Sequence, residues 1–196
     1  PENLVGISTD LPDRIIPGKD MRLSLVLTGN ANVVIDNADI VVLSELFEER
    51  FSTPVFFKRP IKREISLDLG SDIKPGFYTL DIKAYQGTKL IGDFTKEFEI
   101  IKNPDIEEVV ESKRGFLKEE ITVRKINTGN LVVEESIIYP VNSFNNLFIN
   151  TVPEPDIKES NRLIWNFELR PNQSYEVGIT FDYTGFFIFV VAVLAL

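Results

Sequence analysis

Residues 21–27 alternate strictly, with Met21, Leu23, Leu25 and Leu27 on one face and Arg22, Ser24 and Val26 on the other. That period of two is the signature of a half-buried strand. Ile16-Pro17-Gly18-Lys19 precedes the run and Thr28-Gly29-Asn30 follows it, both turn-forming clusters. Residues 39–46 read as a second strand, and Ile65, Leu67 and Leu69 alternate until Gly70-Ser71-Asp72 breaks the run. Lys74-Pro75-Gly76 then launches Tyr78, Leu80, Ile82 and Ala84 on one face. Gln86-Gly87-Thr88 turns the chain and residues 90–101 return, which predicts a hairpin.

Lys102-Asn103-Pro104-Asp105 interrupts the pattern. Proline removes a ladder donor and restricts the residue before it, so a domain boundary is expected there. Beyond it, residues 107–113 admit a single helical turn, residues 116–125 read as a strand, Asn127-Thr128-Gly129-Asn130 as a turn and residues 131–139 as another strand. The polar stretch 142–161, with Pro153-Glu154-Pro155 inside it, reads as a long loop or irregular edge. Trp165, Phe167 and Leu169 alternate, Pro171-Asn172-Gln173-Ser174 turns, and Tyr175, Val177, Ile179, Phe181 and Tyr183 alternate in reply. The expectation is a closing hairpin, and short strands punctuated by turns at this spacing predict antiparallel sandwiches.

The last eleven residues, 186–196, are all apolar. A membrane span needs about 20 such residues, so the run is read as the first part of one, beginning near Gly185. A strand completing another subunit's sheet is the competing reading. Against it stand the lack of alternation and the helix-forming Leu194-Ala195-Leu196. Asp182-Tyr183-Thr184-Gly185 supplies an interfacial tyrosine and a flexible joint at the point of entry.

Composition sharpens this picture. Fifteen Phe against one Met and one Trp, in a chain that is 43% hydrophobic, favour strands and an all-β fold. The net charge of −9 argues against a nucleic-acid partner, which needs a concentrated basic face. Cys and His are both absent, which removes disulfides, thiolate sites, the commonest general base and the commonest transition-metal ligand. The paired acids Glu48-Glu49, Glu107-Glu108, Glu119-Glu120 and Glu134-Glu135 do not make catalytic dyads, since neighbours on a strand point to opposite faces. The chain is therefore read as non-catalytic and without a cofactor. Calcium suits the oxygen ligands in Asp68-Leu69-Gly70-Ser71-Asp72 and Asn103-Pro104-Asp105, yet ordinary turns ask for the same residues, and no metal site is assigned.

Two places qualify as contact or modification sites. Lys58, Arg59, Lys62 and Arg63 form the one basic cluster, interleaved with Phe56 and Phe57. It is either a contact for anionic headgroups or an acidic partner, worth about 1 kcal/mol per charge at a charged surface, or a charged sheet edge that deters pairing. Phe47 and Phe51 nearby extend it as a candidate apolar patch. Asn172-Gln173-Ser174 is the one Asn-x-Ser/Thr acceptor, placed in a turn as a glycan requires, although a turn also explains its residues. Trp165 is expected in the core.

The Ile16-Pro17-Gly18-Lys19 turn before a strand, Asn127-Thr128-Gly129-Asn130 after one, and the alternating segment 165–183 leading into an apolar tail resemble the immunoglobulin-like repeats of archaeal and bacterial membrane-anchored surface proteins, of the CARDB-like and NEW3-like kinds. The resemblance implies two tandem immunoglobulin-like β-sandwiches, residues 1–102 and 103–184, followed by the start of a transmembrane helix at 185–196. It carries no functional residues with it. The expected function is a single-pass, membrane-anchored binding or structural module of the cell surface with an extracellular ectodomain, using loops such as 142–161. The alternative is an accessory subunit of a secretion, glycosylation or transport complex, packing through residues 56–63 and the span. The expected partners are membrane lipid and another membrane or envelope protein.

Overall fold

The computed structural model describes residues 3–18, 21–30 and 34–195. Lys19 of the predicted turn and Leu196 of the apolar tail lie outside the described residues. The chain divides into two compact units, Pro1–Asn103 and Pro104–Leu196, and both are built of β-sheet.

The described residues of the first unit form β1 (Val5–Thr9), β2 (Arg14–Ile15), β3 (Met21–Gly29), β4 (Ile35–Ser44), β5 (Glu48–Val55), β6 (Ile61–Leu67), β7 (Gly76–Gln86) and β8 (Lys89–Ile100). They make a three-stranded sheet in the order β1-β3-β6 and a five-stranded sheet in the order β2-β8-β7-β4-β5. Leu23, Leu25 and Leu27 of β3 are fully buried, as are Leu80, Ile82 and Ala84 of β7, and all six belong to one core between the sheets. Burying each of the Leu and Ile side chains contributes about 1.5–3 kcal/mol, so the alternation read from the sequence is the main force holding the two layers. The predicted β7–β8 hairpin pairs from Gly76 opposite Ile100 to Gln86 opposite Lys89, and Gly87 adopts φ +60° in its two-residue turn, where a residue without Cβ is favoured.

A register shift between Ala84 and Tyr85 leaves Ile91 as the extra residue on β8, a bulge. Beside it, Gly92 lies under β1 so closely that a Cβ would stand 2.6 Å from the Val5 carbonyl oxygen. Backbone on backbone has nowhere to yield without moving a strand. Gly92→Ala is therefore expected to destabilise this unit by about 1–3 kcal/mol, measured as a lowered urea midpoint by circular dichroism. An unchanged midpoint would contradict the contact.

In the second unit the described strands are β9 (Ile106–Arg114), β10 (Lys118–Asn127), β11 (Val133–Pro140), β12 (Ile149–Val152), β13 (Ile157–Lys158), β14 (Arg162–Leu169) and β15 (Ser174–Asp182), followed by helix α1 (Thr184–Leu194). One sheet has the order β12-β15-β10-β9 and the other β11-β14-β13. Trp165, Val177, Ile179 and Phe181 meet between them in a second core.

The structure departs from the sequence pattern in three places. Residues 107–113 form no helical turn but lie in β9, which pairs along its whole length with β10 from Ile106 opposite Asn127 to Arg114 opposite Glu119. As an edge strand it is stabilised by its ladder and buries little side chain, so alternation never develops. The segment 165–183 is not a hairpin: β14 pairs with β11 and β13, whereas β15 pairs with β10 and β12. The turn at 171–174 crosses from one sheet to the other, and the two apolar faces look at each other across the core. Finally, the stretch 142–161 carries a 3₁₀ turn at Asn145–Leu147 and two short strands. Pro153 and Pro155 sit where it changes sheets, between β12 on β15 and β13 on β14.

Candidate functional site

In the basic-aromatic segment 56–63, residues 56–60 connect β5, the edge of the five-stranded sheet, to β6, the edge of the three-stranded one, and residues 61–63 open β6. Its backbone is tied to the end of β3: Gly29 N–H donates to the Phe56 carbonyl at 3.1 Å and Lys58 N–H to the Gly29 carbonyl at 3.3 Å. A Cβ at Gly29 would stand 2.9 Å from that Phe56 oxygen. Lys58 takes φ +52° to make the corner.

The cations of this segment lie over rings, with Lys58 Nζ 5.1 Å from the Phe57 centroid, Arg59 Cζ 5.9 Å from that of Phe56, and Arg63 Cζ 5.4 Å from that of Phe51. Arg63 stands opposite Leu25 and between Ile61 and Ile65 in the ladder, yet it is exposed, and a charge at that position of an edge strand deters another strand from pairing. Lys62 reaches Glu64 at 3.8 Å. Phe47 and Phe51 pack against the core and form no free patch. Phe56 is half-buried at this sheet corner, while Phe57, Lys58 and Arg59 are exposed.

Asn172 is exposed and follows Pro171 in a turn closed by Gln173 N–H donating to the Arg170 carbonyl at 3.0 Å. Its φ of +63° fits the third position of a type II turn, where Asn is one of the few tolerated residues. Among the described residues no group of three or more His, Cys, Asp or Glu is arranged to hold a metal ion. Asp105 receives the Thr128 hydroxyl at 3.0 Å on its carboxylate and the Thr128 and Gly129 N–H groups on its carbonyl.

Exposed apolar side chains of the described residues gather at the C-terminal end of the second unit. Helix α1 has no acidic residue in its first turn, no basic residue in its last, and no buried residue. Asp182 accepts the Thr184 N–H at 2.9 Å, and hydrogen bonds from the Thr184 hydroxyl and N–H hold its carboxyl below the ordinary range. The helix start is fixed to the sandwich on two sides: Asp182 N–H donates to the Phe148 carbonyl at 3.0 Å and Tyr183 N–H to the Leu117 carbonyl at 2.9 Å. Phe144 packs edge-on against Phe186 at 5.7 Å between centroids and against Phe148 at 5.1 Å. Phe148 lies 5.2 Å from Tyr183, whose hydroxyl is 3.2 Å from the Asn145 side-chain oxygen. On a neighbouring side of the helix, Phe116 meets Phe187 edge-on at 6.1 Å. Sequence reading missed Phe116, Phe144 and Phe148 because they come from a hairpin tip and a polar connection, and only the fold gathers them around residues 183–187.

No helix among the described residues is long and apolar enough to cross a membrane. No family model and no curated protein matches the sequence. Among solved structures, the chain resembles red sea bream transglutaminase with a TM-score of 0.41 and 10% identity, over 91% of this chain and 27% of that one. It resembles the native conformation of E. coli alpha-2-macroglobulin with a TM-score of 0.39 and 8% identity, over 92% of this chain and 15% of that one. The chain thus spans less than a third of either, and a likeness this loose carries nothing about activity.

Proposed function

We propose that the protein is a non-catalytic, membrane-anchored binding and structural module of the cell surface, with two immunoglobulin-like sandwiches held at a bilayer by α1. The observation that carries this reading is the helix itself. Phe186, Ile188, Phe189, Val191, Val193 and Leu194 are between 43% and 81% exposed, so beyond the ring contacts of its first turn the sandwich leaves the helix uncovered. A helix that is apolar all round needs apolar surroundings on every side, and a bilayer supplies them. At about 1.5 Å per residue the helix is about 16 Å long, roughly half of the ~30 Å hydrocarbon layer.

The anchor has a mechanical use. With the helix start hydrogen-bonded to residues 117 and 148, the second unit is seated at its exit point, and the sheet edges and loops beyond it face the surroundings. A chain cut after Tyr183 is expected to move from the carbonate-resistant membrane fraction to the soluble fraction while keeping its β-sheet circular dichroism. Retention of the shortened chain in the membrane would contradict the anchor, and protease added to intact cells tests the outward orientation.

A further inference from the structure

Resting on that reading, we infer that the end of the second unit from which α1 emerges is itself immersed in the interfacial layer of the bilayer, with Phe116 and Leu147 as side-chain wedges on either side of the helix. Phe116 is 89% exposed at the tip of the β9–β10 hairpin, and Leu147 is 76% exposed in the 3₁₀ turn. They come from separate connections, yet both lie where α1 starts: Leu117 and Phe148, their chain neighbours, accept the N–H groups of Tyr183 and Asp182. Phe144, 51% exposed, fills the space between the 3₁₀ turn and Phe186.

Polarity changes in layers along the strand direction. The helix is apolar. Around its first turn lie rings, including Tyr183 with its hydroxyl on Asn145. The next ladder rows are charged, with Lys118 opposite Asp182 and Arg114 opposite Glu119. Apolar, aromatic, then charged is the order that a bilayer presents from its core outward, and amphipathic rings concentrate at the middle layer. A protein groove would call for an apolar face on one side of the helix alone, whereas here the apolar surface runs round the helix and onto the two loops beside it. The consequence is a second unit seated directly on the membrane, with its orientation fixed by three contacts.

The chain contains no cysteine, so single cysteines give unique labelling sites. The whole chain carrying F116C, L147C, F189C or S174C, each labelled with an environment-sensitive nitrobenzoxadiazole, is reconstituted into phosphatidylcholine vesicles. Half of the samples contain phosphatidylcholine bearing a nitroxide near the top of its acyl chain. Severalfold quenching at 116, 147 and 189, with none at 174 near the opposite end of β15, is the expected result. Quenching at 189 without quenching at 116 and 147 overturns the inference and leaves the anchor standing. Absence of quenching at all four positions overturns both. Unquenched probe at 116 together with disulfide-linked dimers of unlabelled F116C would assign this face to a second copy of the chain and overturn the lipid contact.

Discussion

Replacing Trp165 with alanine is expected to lower the stability of the second unit by about 3–5 kcal/mol, the range for deleting a large aromatic side chain from a packed core. Trp165 is fully buried, the largest such side chain among the described residues, and stands opposite Ile137 on the inward face of the β11–β14 ladder. Its indole N–H donates to the Pro153 carbonyl at 3.0 Å, which ties the connection between β12 and β13 to the core. The substitution therefore opens a cavity and removes a donor from a polar atom at once. A domain's whole stability is typically about 5–15 kcal/mol, so much of the second unit's would be lost. Since this is the only tryptophan in the chain, the variant has to be followed by circular dichroism in urea. A loss below about 1 kcal/mol, the scale of an ordinary substitution, would show that the core does not close around this side chain.

Asn127→Ala is the second large effect. Asn127 is completely buried, one of the few buried polar residues described, and its side-chain amide makes three hydrogen bonds. Nδ2 donates to the Leu131 carbonyl at 2.7 Å and the Leu169 carbonyl at 2.9 Å, while Oδ1 accepts the Gly129 N–H at 2.9 Å. Its own N–H donates to the Gln173 carbonyl and its carbonyl accepts the Asn172 N–H, both at 2.9 Å. The residue thus fastens two crossings between sheets, β10 to β11 and β14 to β15, at a single point. Alanine would orphan two carbonyls and one N–H, and at about 1–3 kcal/mol for each group left unsatisfied, less what water can reach, a loss of about 2–4 kcal/mol is expected. Asn127→Asp should do no better, because a carboxylate accepts from Gly129 but offers no donor to the two carbonyls. Thr128→Ala, which removes an exposed hydroxyl from Asp105, should cost less than about 1 kcal/mol. Trp165 fluorescence in urea reads all three, and an Asn127→Ala midpoint equal to that of the parent would contradict the assignment.

These two residues also mark how far the sequence could be read. Strand faces were legible wherever one side of a strand is buried, as in Leu23, Leu25 and Leu27 or Val177, Ile179 and Phe181, because alternation reports burial directly. Pairing was not. Residues 165–169 and 175–183 look like the arms of a hairpin, and the same alternation is produced by two strands in opposite sheets. The buried amide that holds the crossing, Asn127, is indistinguishable in sequence from any turn asparagine. Edge strand β9 was illegible for the opposite reason, since Val109 and Val110 are adjacent and the strand is held by backbone pairing. At the candidate site the apolar helix was plain in the sequence, whereas the ring of Phe116, Phe144 and Phe148 exists only once the strands bring residues 116, 144–148 and 183–187 to one end.

Flotation tests most directly whether α1 enters lipid. The whole chain, reconstituted from detergent with uncharged phosphatidylcholine vesicles, is centrifuged on a density gradient at high salt and again in alkaline carbonate. Comigration with the vesicles under both conditions is the predicted result. Protein left at the bottom of the gradient, or floating only with anionic lipid and released by salt, would contradict it, and the latter outcome would move the membrane contact to the cations at residues 58–63.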